Sequence, residues 1–225
     1  MDIAPPTSGT RGCFITLEGP EGCGKTTQAR LLAQWLESQS FPVLLTREPG
    51  GTPIGEQIRT VLHDCANRAM PAETEILLYS AARAQHVAEV IQPALQAGTI
   101  VICDRFYDST YAYQGYGRGL PMDTLRMITA FATRGLTPDL TLYLDVPPEL
   151  GLQRRAQSGE TLNRLDREAL AFHRRVRAGY QALMREEPAR WRLVDATAPI
   201  DVVQEQLQGL VLGILRELGI NPRGR

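Results

Sequence analysis

The stretch FITLEGPEGCGKTT, residues 14–27, most limits what this chain can fold into. An apolar run over Cys13–Glu18 meets a glycine-rich turn, and helical spacing begins at Lys25. The turn Gly19-Pro20-Glu21-Gly22-Cys23-Gly24-Lys25-Thr26, followed by Thr27, fits G-x-x-x-x-G-K-[ST] without a gap. Small residues there let successive backbone N–H groups wrap a phosphate at the positive end of the next helix. Lys25 is then placed to bridge terminal phosphates, and the Thr26 hydroxyl to face Mg²⁺. Strand, phosphate loop and helix together predict an α/β chain that binds a nucleoside triphosphate.

The rest of the pattern agrees. Pro42 opens a short strand in PVLLTREPGG, and IGEQIRTVLH reads as a brief helix. A long helix is expected from Pro71 to a stop at Gly98, with Pro93 a candidate kink. TIVICDRF is an apolar, β-branched strand, and a polar, tyrosine-rich stretch separates it from a helix over residues 122–133. LTLYLDV and WRLVDA read as strands. Helical spacing occupies residues 147–157, resumes after a polar interruption through about 187, and closes the chain over 200–218. Short apolar strands alternating with helices predict a parallel sheet covered on both faces. Residues 1–11, rich in Pro, Ser, Thr and Gly, read as a flexible tail without a signal-peptide pattern, leaving one domain over 12–225.

Composition excludes several classes. Lys+Arg 24 against Asp+Glu 25 leaves no global field toward nucleic acid or membrane. No apolar run is long enough to span a bilayer. Cys13, Cys23, Cys65 and Cys103 lack paired spacing and read as reduced thiols of a cytoplasmic protein. His63, His86 and His173 are scattered through helical segments without metal-ligand spacing.

The phosphate loop does not name the acceptor. A GTPase needs a base-reading segment such as N-K-x-D after a later strand; residues 163–166, NRLD, follow a helix and lack the lysine. A small phosphotransferase is the better class. Asp104 ends a central strand, where ligands bind at the carboxyl edge of parallel sheets. It can hold Mg²⁺ through water or help accept the acceptor's proton. Arg105, directly after it, can reach a second phosphate.

Five segments in order carry a resemblance: FITLEGPEGCGKTT, TREPGGTPIGEQIR, LLYSAARAQHV, DRFYDSTYAYQGYGRG and NRLDREALAFHRRVRAGY. Together, over residues 14–180, they resemble bacterial thymidylate kinases. The resemblance implies the nucleoside monophosphate kinase type of three-layer fold, with a five-stranded parallel sheet and a short lid. It implies transfer of the ATP γ-phosphoryl to dTMP with Mg²⁺, by a homodimer that binds neither nucleic acid nor membrane. Alternatives are a kinase for another nucleoside monophosphate and an inactive nucleotide-binding scaffold.

Position by position, the resemblance puts Arg59 and Arg105 at the acceptor phosphate, where bidentate contacts favour arginine over lysine. Tyr79 matches an aromatic that stacks on thymine, and Arg83 a donor to the base. Ser109 and Gln114 match positions that read the base edge, and Tyr113 one that favours deoxyribose. Glu48 and Asp104 match acids near the metal and reacting phosphates. Glu21, an acid in an anion-binding loop, matches a residue that accepts a hydrogen bond from the sugar 3′-hydroxyl. The loop has no arginine of its own. A lid over about residues 151–167, carrying Arg154, Arg155, Arg164 and Arg167, is expected to supply one, with Arg155 and Arg164 the leading candidates.

Overall fold

The computed structural model describes residues 11–159 and 161–223; most of the expected tail lies outside them. Its centre is built by alternation. In β1 (Cys13–Glu18), Cys13, Ile15 and Leu17 face one layer of core while Phe14 faces the other. Strands β3 (Ile100–Asp104) and β4 (Leu140–Asp145) flank β1 and alternate likewise. With β2 (Val43–Arg47) and β5 (Trp191–Asp195) they form an all-parallel sheet of order β2-β3-β1-β4-β5.

On one face, α1 (Lys25–Ser38) and the closing α9 (Ile200–Glu217) bury Leu32, Leu36, Leu207 and Val211 against Ile15 and Leu142. The other face is covered by α3 (Ala72–His86), α6 (Met122–Thr133) and α8 (Leu170–Glu186), through Ile76, Leu125, Val176 and Tyr180. α2 (Pro53–His63) packs beside α3, its Thr52 hydroxyl accepting from the Gly55 N–H at 2.9 Å. Register aligns the strand ends: Asp104 pairs with Leu17 on one side and Arg47 on the other. The carboxyl ends of β1, β2 and β3 therefore open toward one crevice.

Two segments differ from expectation. The helix after Pro71 changes to a π-helical turn over Val87–Ile91 before resuming as α4 (Gln92–Gln96). Pro93 lacks the N–H that would bond one turn back, so the ladder re-registers there. The tyrosine-rich stretch is itself helical, α5 (Tyr107–Thr110) running into a π-helical turn over Tyr111–Gly117. Packing on α8 overrides its weak propensity. A Cβ on Gly117 would meet Phe172 at 2.7 Å, and one on Gly179 would meet Tyr116 at 2.7 Å. After α7 (Pro148–Gln157) the chain turns, with Asn163 Oδ1 accepting from the N–H groups of Leu165 and Asp166, and Asp166 accepting from that of Asn163.

Candidate active site

The phosphate loop spans β1 and α1, with Gly19, Gly22 and Gly24 all at positive φ. Gly22 is required for a second reason. A Cβ there would meet the Gly151 carbonyl oxygen at 1.9 Å, and one on Gly151 would meet that of Glu21 at 2.2 Å. The loop and α7 thus touch backbone to backbone. Lys25 folds back into the loop and donates to the Gly19 and Pro20 carbonyls at 3.0 and 2.9 Å. Cys23 is buried beneath it, and the Thr26 hydroxyl donates to Asp104.

Glu21 points away from the loop's N–H groups. Its Oε1 accepts from Arg105 Nη2 and from the Tyr113 hydroxyl, each at 2.9 Å. Burial would raise its carboxyl, but Arg105 and then Lys25 outweigh this and hold it down at about 2. Arg105 has φ 70, a left-handed conformation rare for a side chain of its size. That turn at the end of β3 aims its guanidinium across the crevice, over the Tyr113 ring and onto Gly19 O, Ser109 Oγ and the Tyr180 hydroxyl.

Beneath Arg105 lies Glu18, fully buried at the end of β1. It accepts from the Phe106 N–H at 2.7 Å, the Ser109 hydroxyl at 2.6 Å and the Tyr180 hydroxyl at 3.1 Å. Burial, with Asp108 nearby, lifts its carboxyl to about 7.

Glu48 follows β2, its N–H bonded to the Asp104 carbonyl. Its carboxylate takes Arg83 Nε at 2.7 Å on one oxygen and faces His86 Nδ1 at 3.2 Å on the other. Arg83 is 2% exposed and packs on the Phe106 ring, while its Nη1 is buried without a partner among the described residues. Gln114 donates to buried Glu75 at 2.7 Å. Arg59 donates to the Pro49 carbonyl at 2.8 Å.

These groups surround one cavity of about 450 Å³. It brings together Glu21, Lys25, Thr26, Glu48, Arg59, Tyr79, Arg83, Asp104, Arg105, Ser109, Tyr113, Gln114 and Arg155. Gly22, Gly24 and Thr27 also line it, whereas Gly19, Pro20 and Cys23 lie behind the loop surface. Arg155 bonds Asp166 and the Thr161 carbonyl from the cavity wall. Arg164 does not join it: its guanidinium pairs with Glu75 and the Leu62 carbonyl and faces a second cavity. Glu75 is a buried acid on α3 that holds Arg164 away from the first cavity.

The cavity also holds residues that the sequence pattern did not single out: Arg47, His63, Phe106 and Thr110. Arg47 had a signal, as a charged residue ending a parallel strand just before Glu48. His63 had none; burial and then Arg59 push it down to about 4, so it is neutral near pH 7.

Comparison with known proteins agrees with this geometry. The thymidylate kinase family model matches residues 17–207. A thymidylate kinase of Thermomicrobium roseum is 55% identical over 203 residues, covering 90% of this chain and 96% of the relative. That of Roseiflexus castenholzii is 52% identical over 210 residues, covering 88% and 92%. That of Geotalea uraniireducens is 50% identical over 211 residues, covering 92% and 99%. With its phosphate loop, parallel sheet and arginine-lined crevice in one arrangement, the chain belongs to the thymidylate kinase family.

Proposed function

We propose that this protein transfers the γ-phosphoryl of ATP to the phosphate of dTMP, giving dTDP and ADP. The observation that carries the reading is Glu21: one residue of the phosphate loop is also the partner of Arg105 and Tyr113 on the acceptor side. Donor and acceptor sites therefore share one cavity.

The ATP phosphates lie on the N–H groups of the loop, with Lys25 swinging from the loop carbonyls to the terminal phosphates. Arg59 and Arg105 hold the acceptor phosphate so that its oxygen attacks the γ-phosphorus as the bond to the β-bridging oxygen breaks. Arg155, on the lid side, adds positive charge where negative charge develops. Catalysis on this scheme is mainly positioning and electrostatics. Tyr79 packs on the base, and the unpartnered Arg83 Nη1 supplies a donor for a base carbonyl. Ser109 and Gln114 face the base edge once released from Glu18 and Glu75. Tyr113, held by Glu21, crowds the 2′ side of the sugar.

Mg²⁺ fits the oxygen donors at the Thr26 hydroxyl and Asp104 carboxylate, already in contact with each other. When bound there it neutralises phosphate charge. Glu48 has its oxygens directed to Arg83 and His86, which supports a role through Arg83 ahead of direct ligation.

The reading takes residues 12–225 as one domain with a lid over 151–167. It also includes a homodimer and a cytoplasmic setting. The dimer is supported by exposed apolar side chains on neighbouring helices: Ile54 and Val61 on α2, Leu77 on α3, Met127 and Phe131 on α6. The setting is supported by four free thiols. No helix among the described residues is long and apolar enough to cross a membrane.

An ADP-release assay with a panel of nucleoside monophosphates tests the assignment. dTMP is expected to give the highest kcat/KM; equal rates across the panel would overturn the thymine assignments.

A further inference from the structure

A second cavity, of about 460 Å³, lies where the loop between α2 and α3 meets the lid segment. The two segments are joined over it: Cys65 Sγ contacts the Leu162 carbonyl at 3.5 Å, and Arg164 Nε donates to the Leu62 carbonyl at 3.2 Å. Four arginines line it: Arg68, Arg118, Arg164 and Arg167.

Their charges are unevenly met. Arg118 pairs with Glu168 at 2.6 Å and with Glu75 at 3.2 Å, and Arg164 also pairs with Glu75. Two acids thus compensate two arginines. Arg68 and Arg167 have no side-chain hydrogen bond or ion pair among the described residues, yet line the same cavity. Four guanidinium forks around one open depression, two of them exposed and without a compensating acid, match an anion with several acceptor oxygens.

We infer that this cavity is a second anion-binding site, separate from the phosphate loop, for a small molecule carrying at least two phosphate charges. A diphosphate group matches the charge excess and offers enough oxygens for more than one bidentate contact. The cavity also touches the active site through one side chain. Glu75 is 1% exposed and is held by Arg118 and Arg164 on the basic side and by Gln114 on the acceptor side. An anion that draws those two arginines toward itself leaves Gln114 as the remaining partner of Glu75. Occupancy is thereby felt at a residue lining the main cavity.

The test is calorimetric titration of the full chain with inorganic pyrophosphate, comparing the wild type with Arg68→Glu/Arg167→Glu. The phosphate loop is untouched in both, so any binding there cancels in the comparison. The wild type is expected to bind one more pyrophosphate per chain than the double variant. Arg68→Glu alone, at an exposed position, is expected to weaken that extra site by at least about tenfold, and melting curves confirm that it folds. Equal stoichiometry in wild type and double variant, or extra binding only at high millimolar concentration, would overturn the inference.

Discussion

Glu21 Oε1 and Arg105 Nη2 lie 2.9 Å apart, joining the phosphate loop to the end of β3 in the lining of the main cavity. The pair explains how an acid is tolerated in an anion-binding loop. Its charge is turned away from the loop N–H groups and met by a cation that itself needs a partner.

Glu21→Ala removes that partner while leaving the loop backbone in place. Loss of one charge-assisted hydrogen bond predicts a fall of about 10- to 100-fold in kcat/KM for the acceptor. The KM for ATP should change far less. Steady-state kinetics with each substrate varied in turn checks this, and equal losses for both would contradict the assignment.

The two lid-region arginines should separate. Arg155→Ala is expected to lower turnover by about 10³-fold, as the proposed place of its charge beside the transferring phosphoryl requires, and also to lower the melting temperature, because Asp166 loses its cation. Arg164→Ala is expected to act on stability, because it takes one cation from buried Glu75. Arg118 and Gln114 remain, so the loss should be about 2 kcal/mol, below that of a fully orphaned buried charge. Parallel kinetic and thermal measurements on both variants decide it; the reverse pattern would return Arg164 to the reacting side.

Glu18 predicts a pH dependence. Its folded carboxyl titrates near 7 against an ordinary value of 4.5, chiefly because burial disfavours the charged form. Below about 4.5 the folded and unfolded chains both hold the proton. Between about 4.5 and 7 only the folded chain holds it, so its contribution to stability falls as pH rises, and above 7 that loss is complete. Glu18→Gln has no such titration. The melting temperature of the variant minus that of the wild type should grow across this window and then level off. A constant difference would exclude the shift.

Phe131 is 87% exposed and Met127 67% exposed on the outer face of α6. If that face joins two copies, Phe131→Glu should convert a dimer to a monomer in sedimentation equilibrium, at protein concentrations where the wild type is dimeric. A dimer of unchanged strength would place the contact elsewhere.

Much of this molecule was legible in one dimension. The phosphate loop, the five strands and their parallel pairing follow from local spacing, because 2- and 3.6-residue periods and glycine-rich turns act over a few neighbours; the strand order β2-β3-β1-β4-β5 does not. Asp104 was visible as an acid closing an apolar strand, and Glu21 as a carboxylate out of place. The helical form of the tyrosine-rich stretch was not, since it depends on Gly117 and Gly179 admitting aromatic rings from distant segments. Nor could spacing tell Arg155 from Arg164, which sit nine residues apart in one basic region. Glu75, 89 positions away, pulls Arg164 to the second cavity, while Asp166 keeps Arg155 at the first. The chain's own periodicity determined where backbone and loop would go. Charge pairing between distant segments in a low-dielectric interior decided which of the two arginines lines the main cavity.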